Sequence, residues 1–386
     1  MTAYNTTDLY NKQVEEDASA AFLANCISDD TYRNILLSHN SKLYTPNYFI
    51  RIGMGILTIV AIVFSGTLLG LIFGTDSTAG LIALLIFYTL LSYAVLEFFV
   101  KQKYYYNAGI DNILMLSTLI FILSALFIED YYNQYLVAAA VAAMVCLWLC
   151  IRFTDAFMAI LCYVSFIYFL FLLFIKLGDI AKATMPFMLM AVSAAIYFVI
   201  NKIRSKDQFR FYQLCCKAVM LCALLTFYIC GNYFVVKELS NEMFDLQLGL
   251  NDPIPFGWFF WILTIAVPLL YIFYGIKKKD LLFIRTGLLL IAVTIFTVRY
   301  YHSILDIEVA MMIAGLILIA ISYALIKYLK TPKHGFTFAN TGATGKELLN
   351  AEALIIAQTF GKQTTANSGV QFGGGSSGGG GASGDF

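Results

Sequence analysis

The densest run of chemically capable side chains is RYYHSILDIE, which brings Arg299, Tyr300, His302, Asp306 and Glu308 together in one short stretch. A histidine that titrates near neutral pH beside two acids and a guanidinium can hold an anion, a proton or a metal. A polar loop at a membrane edge has the same composition with no ligand at all. A second set is dispersed: Glu97, Asp111, Lys217 and Arg285 lie within or at the ends of long apolar stretches. Ionisable groups are costly there, so they are the default place to look for function. Glu97 and Lys101 are spaced to pair on one helix face. Asp111 stands at the level of Lys101 and Lys103, and Arg152 and Asp155 share a turn. All of these read first as structural anchors. Lys217 and Arg285 carry stems long enough to deliver their charge to the interface; the alternative is a carboxylate partner such as Glu97 or Asp111.

Catalytic patterns do not emerge. There is no H-E-x-x-H, no P-loop, and no G-x-G-x-x-G at a strand-to-helix turn. Three histidines, His39, His302 and His334, leave no room for a multi-histidine metal site. Of the eight cysteines only Cys26 lies outside the apolar stretches, and no C-x-x-C occurs. Buried thiols of this kind pack as small hydrophobes; a thiol or metal site from Cys215, Cys216 and Cys222 is the alternative. The expectation is therefore no catalytic residue, no metal and no cofactor. A net charge of +1 gives no reason to expect nucleic acid as a partner.

The elements that must position these groups are membrane spans. Sixty per cent of the 386 residues are hydrophobic and only 13% are charged, more apolar surface than a soluble domain can hide. Reading at the roughly 20 residues needed to cross a bilayer gives ten continuously apolar segments: 49–74, 79–100, 108–128, 133–152, 155–177, 184–202, 210–236, 256–276, 281–300 and 307–329. Backbone groups cannot go unpaired in lipid, so each should be a helix. The fold class is all-α, a polytopic transmembrane helix bundle.

Orientation follows from the positive charges. Lys42, Arg51, Lys101, Lys103, Arg152, Lys202, Arg204, Lys206, Arg210, Lys277–Lys279, Lys327, Lys330 and Lys333 fall in one alternate set of loops. The opposite set is acidic or neutral apart from Lys176 and Lys182. The positive-inside rule then puts both termini in the cytosol of a cytoplasmic (inner) membrane. The opening MTAYNTTDLYNKQVEED has acids and amides in place of a basic and then apolar leader, so the first span is expected to serve as its own insertion signal. Aromatic clusters such as KYYYN, EDYYNQY and FGWFFW mark span ends, as interfacial belts do.

Four parts follow: a cytosolic helical segment (1–47), the transmembrane domain (48–330), a cytosolic segment with one short helix (331–370) and a glycine-rich tail (371–386). In the first part, Ser28 caps a helix that opens with Asp29 and Asp30, and Ile35, Leu36 and Leu37 are expected against Phe22 and Leu23. The turn F-L-x-x-C-I-S-D-D-x-Y from Phe22 to Tyr32, leading to a glycine-bearing first span, resembles a family of bacterial polytopic membrane proteins known only as a domain of unknown function. The likeness covers roughly residues 10–75. It departs from the family pattern at Cys26, where glycine is usual, and in lacking a tryptophan in the preceding helix. It implies a bacterial membrane protein and brings no activity, cofactor or site residue.

The tail QFGGGSSGGGGASGDF cannot fold alone, because its ordering entropy is large and its apolar surface small. Bracketed by Phe372 and Phe386, it is similar in composition to the cytosolic tails of TPM-domain membrane proteins. Gly66, Gly70 and Gly74 form a stripe on the first span that would let another helix approach closely, within the chain or across a homo-oligomer seam. These features suit a non-enzymatic scaffold or assembly factor that meets cytosolic or membrane proteins through residues 1–47 and 331–386. A secondary transporter of a small solute is the alternative, although midplane acids are lacking. An enzyme built on the outer polar cluster is the third reading.

Overall fold

The computed structural model describes residues 2–23, 26–73, 77–244 and 254–301, residues 249 and 252, and scattered positions between 309 and 327. It is all-α. Two helices, α1 (Thr6–Leu23) and α2 (Asp29–Ser38), precede the apolar bundle. Then come α3 (Tyr48–Phe73), α4 (Thr78–Gln102), α5 (Ile110–Leu126), α6 (Gln134–Phe153), α7 (Ala156–Lys176) and α8 (Asp179–Ile203). A short 3-10 turn, Asp207–Tyr212, leads into α9 (Gln213–Gly231), α10 (Tyr233–Phe244), α11 (Gly257–Lys278) and α12 (Leu281–Tyr301).

Among the described residues eight stretches, Tyr48–Ile72, Thr78–Gln102, Gln134–Phe153, Ala156–Lys176, Ala183–Ile203, Asp207–Gly231, Gly257–Lys278 and Leu281–Tyr301, are long and apolar enough to cross a membrane; α5 is a shorter apolar helix between two of them. The tenth expected segment, 307–329, falls largely outside the described residues. Successive helices pair as hairpins, α4 with α5, α6 with α7, α8 with α9 and α11 with α12. The main core lies where α4, α5, α6, α7 and α9 meet, around Leu96, Met115, Cys146, Leu149, Phe153 and Cys215. Cys215 and Cys216 are buried in helix packing, and no metal-holding group of three His, Cys, Asp or Glu occurs among the described residues.

One expected span is interrupted. Segment 210–236 breaks at Asn232, whose extended backbone (φ −80°, ψ 127°) ends α9. The backbone amides freed by the break find partners, as an apolar setting demands. The amides of Phe234 and Val235 donate to Asn232 Oδ1, and that of Tyr233 to Thr264 Oγ1. Asn232 Nδ2, in its side chain, donates to Tyr228 Oη and Thr297 Oγ1, each at 3.0 Å.

Close helix approaches sit at glycines other than the anticipated stripe. A Cβ on Gly66 would meet only the Tyr88 ring, at 4.0 Å; Gly70 lies on α3 and Gly74 outside the described residues. At Gly287 a Cβ would stand 3.0 Å from Pro268 O, and at Gly275 2.9 Å from Ile284 N, so these two glycines close the α11–α12 hairpin.

The N-terminal helices form as expected. The Ser28 hydroxyl accepts from Thr31 N–H, and Phe22 stacks on Tyr32 at 4.8 Å. Leu37 does not join that contact: it is 81% exposed, because the short helix turns only Ile35 and Leu36 inward. The segment is tied to the bundle end where α4 and α6 finish and α5 and α7 start. Ala3 N–H donates to Arg152 O (2.7 Å), Tyr44 N–H to Tyr104 O (2.7 Å), and Tyr106 N–H to Tyr44 O (3.1 Å). Arg210 donates to Gln13 Oε1 and lies 4.8 Å above the Tyr10 ring. We refer to this as the capped end.

Candidate functional site

Chain segments distant in sequence converge beneath the cap. The loop before α5 bends through two left-handed residues, Tyr104 (φ 56°) and Asn107 (φ 52°), then Gly109 (φ 93°). Asparagine tolerates that region and glycine is free in it. Gly109 presses directly on the backbone of α3: a Cβ there would fall 2.1 Å from Arg51 O. The contact sets the first turn of α3 against the first turn of α5 and brings Arg51 to Asn112. The Arg51 guanidinium donates to Asn112 Oδ1 (3.2 Å) and Asn107 Oδ1 (3.4 Å), and forms no ion pair within 4 Å among the described residues.

The carboxylates nearby are committed differently. Asp111, 1% exposed, accepts from the Ala108 amide at 2.9 Å. Asp155 caps α7 by accepting from Met158 N–H (2.8 Å), and its other oxygen accepts from Asn112 Nδ2 (3.4 Å). Burial pushes the Asp155 carboxyl above its ordinary range, against the opposing pull of the Met158 and Phe157 amides and of Arg51. Thr154 ends α6 in a left-handed conformation (φ 51°) and is 6% exposed. Its hydroxyl lies near that of Tyr106 but reaches no partner in hydrogen-bond geometry. Tyr4, from the cap, meets Tyr106 edge-to-face at 5.2 Å and Phe153 at 6.5 Å. Burial raises both phenols, Tyr106 to about 12.

These groups line a cavity of about 270 Å³ that is walled as much by polar as by apolar atoms. Its lining includes one guanidinium, two carboxylates, the hydroxyl-bearing Thr154, Tyr4 and Tyr106, and five aromatic rings in all. Such a set can bind a small molecule that presents separated positive and negative charge.

The residues picked from sequence distribute as follows. Asp111 lies in the cavity and pairs with neither Lys101 nor Lys103, because the backbone of its own loop reaches it first. Arg152 does not pair with Asp155. It turns to α4 and forks onto Glu97, Nε to Oε1 at 2.7 Å and a terminal nitrogen to Oε2 at 3.2 Å. Lys101 meets the same carboxylate at 2.7 Å, as the four-residue spacing implied, and the Tyr93 hydroxyl adds a third donor. Glu97 is thus an internal strut between α4 and α6. Lys217 and Arg285 are exposed on α9 and α12 and form no ion pair among the described residues, so neither takes Glu97 or Asp111. Arg299 sits in the last turn of α12, while His302, Asp306 and Glu308 lie outside the described residues.

Sequence reading missed Arg51, Asn107, Asn112 and Thr154 as site residues. Arg51 counted only as an orienting charge. A usable signal was the run NAGIDN, in which a left-handed asparagine and a glycine precede a helix opening on Asp111 and Asn112. No family model matches the chain, and no curated protein or solved structure matches it.

Proposed function

We propose that this multi-pass membrane protein is a carrier that binds a small, charge-separated ligand in the Arg51 cavity. The observation that carries this reading is Thr154. A hydroxyl buried without a partner costs about 1–3 kcal/mol, and Thr154 lines the same cavity as a guanidinium held only by amide carbonyls. A ligand oxygen would satisfy both. The cap favours the same reading over that of a scaffold with a free N-terminal docking arm, since Ala3, Tyr44 and Gln13 bind this chain's own bundle. The lysines and arginines at that end support a cytosolic capped end in a cytoplasmic membrane.

Phosphoethanolamine is a suitable soluble probe, carrying one phosphate and one ammonium. Purified full-length protein should show a rise in thermal midpoint with this probe, as any ligand selective for the folded state gives. Arg51→Gln and Thr154→Val should each remove the rise. In proteoliposomes the labelled probe should enter with the wild type and not with Arg51→Gln. If neither this probe nor a lipid bearing the same headgroup shifts the wild-type midpoint, the cavity is not a ligand site.

A further inference from the structure

The cavity does not end at Arg51. A second groove, of about 560 Å³, begins at Arg51, Asn112 and Asp155, which line both spaces, and runs along α3 and α5. Its walls are apolar: Ile52, Gly55, Ile56, Ile59, Ile113 and Leu116. It opens sideways along the α3–α5 seam, where Ile52, Ile56 and Ile59 are 43%, 58% and 46% exposed. The opening exists because α3 touches α5 closely only near its start, at Gly55 and Gly109, and is scarcely buried along its length.

A polar chamber joined through a guanidinium to an apolar, membrane-facing groove has the form of an amphiphile. Charge decides which kind. A purely anionic headgroup would bring a negative charge to one arginine and two carboxylates, Asp111 and Asp155. A headgroup with phosphate and ammonium matches both signs: phosphate against the free donors of Arg51 and the Thr154 hydroxyl, ammonium toward Asp111, Asp155 and the Tyr4, Tyr106 and Phe153 rings. Building on the carrier reading, we propose that the ligand is an aminophospholipid of the phosphatidylethanolamine type. It enters laterally from the leaflet at the capped end, its headgroup in the cavity and one acyl chain in the α3–α5 groove.

The test is lipid retention by the full-length protein, released from nanodiscs of equal phosphatidylethanolamine and phosphatidylglycerol and read by native mass spectrometry. Phosphatidylethanolamine should be retained selectively, and Arg51→Gln should lower retention about tenfold, as loss of a charge-assisted fork to phosphate implies. Asp155→Asn should shift the preference toward phosphatidylglycerol. Ile56→Trp, which fills the groove and leaves the headgroup chamber intact, should weaken lipid retention while the thermal shift with free phosphoethanolamine persists. Equal retention of the two lipids, unchanged by Asp155→Asn, would overturn the headgroup assignment. Binding of free phosphoethanolamine with no lipid retention, or with retention indifferent to Ile56→Trp, would overturn the lipid while leaving the carrier's cavity a ligand site. Loss of both signals in the wild type would remove the cavity reading as well.

Discussion

Gly109 carries the heaviest structural demand of any single residue at the cavity. Its φ of 93° excludes ordinary side chains, and the α3 backbone occupies the place of a Cβ. Gly109→Ala should destabilise the protein by about 2–4 kcal/mol, combining left-handed strain with a clash that only movement of α3 relieves. Thermal unfolding in detergent reads the loss, and Arg51 should separate from Asn112 with it. Asp155 gives a pH-dependent prediction. Its carboxyl is raised by burial, so the contribution of this group to stability is fully present below its unfolded value near ~3.9 and is lost as pH rises through the higher folded value. Asparagine caps helices as well as aspartate and carries no charge to desolvate. Asp155→Asn without ligand should therefore melt higher than wild type at neutral pH, and the difference should close as the buffer is acidified. A difference independent of pH would show that the charge is not what the buried site resists.

At the scale of elements, the Glu97–Arg152 fork holds α4 to α6 and the Asn232 network holds α9 and α10 to α11 and α12. The glutamate and arginine side chains are only 16% and 21% exposed, whereas Lys101 is 54% exposed. Removing one side of the well-shielded pair should cost several times what Lys101→Ala does, since exposed ion pairs contribute only about 0–1 kcal/mol. A double-mutant cycle on Glu97 and Arg152 measures the pair directly. Asn232→Ala should cost about 2 kcal/mol or more by stranding the Phe234 and Val235 amides that donate to its side chain, seen as a lower melting point. The helices themselves were legible in the sequence, because twenty continuous apolar residues have few alternatives. The break at 232 was not, since one asparagine barely changes a hydropathy average while its side chain supplies the bonds that let a helix stop. The cavity was hidden for a different reason. Tyr4, Arg51, the turn that carries Asn107 and Asn112, and Thr154 come from separate parts of the chain, and only helix packing brings them together. Asp111 and Asp155 were visible as costly charges, but their partners are backbone amides and an asparagine, which no charge-pairing rule selects.

For the molecule as a whole, the proposed orientation has a direct test in Cys26, an exposed thiol in the turn between α1 and α2, while the other seven cysteines are buried or half-buried. A membrane-impermeant maleimide should modify it only after cells are opened; labelling of intact cells would invert the topology. The bond from Ala3 to Arg152 has its own consequence for how the protein comes into being. The residues that close the chamber are synthesised before α6, yet their docking surface exists only once that helix is in place. Docking of the cap therefore follows the placement of α3 to α6, and its closure should report that these helices have packed together correctly. A chain with one span inverted would present the Arg152 carbonyl on the far side of the bilayer and leave its own first residues unanchored, exposed to proteolysis.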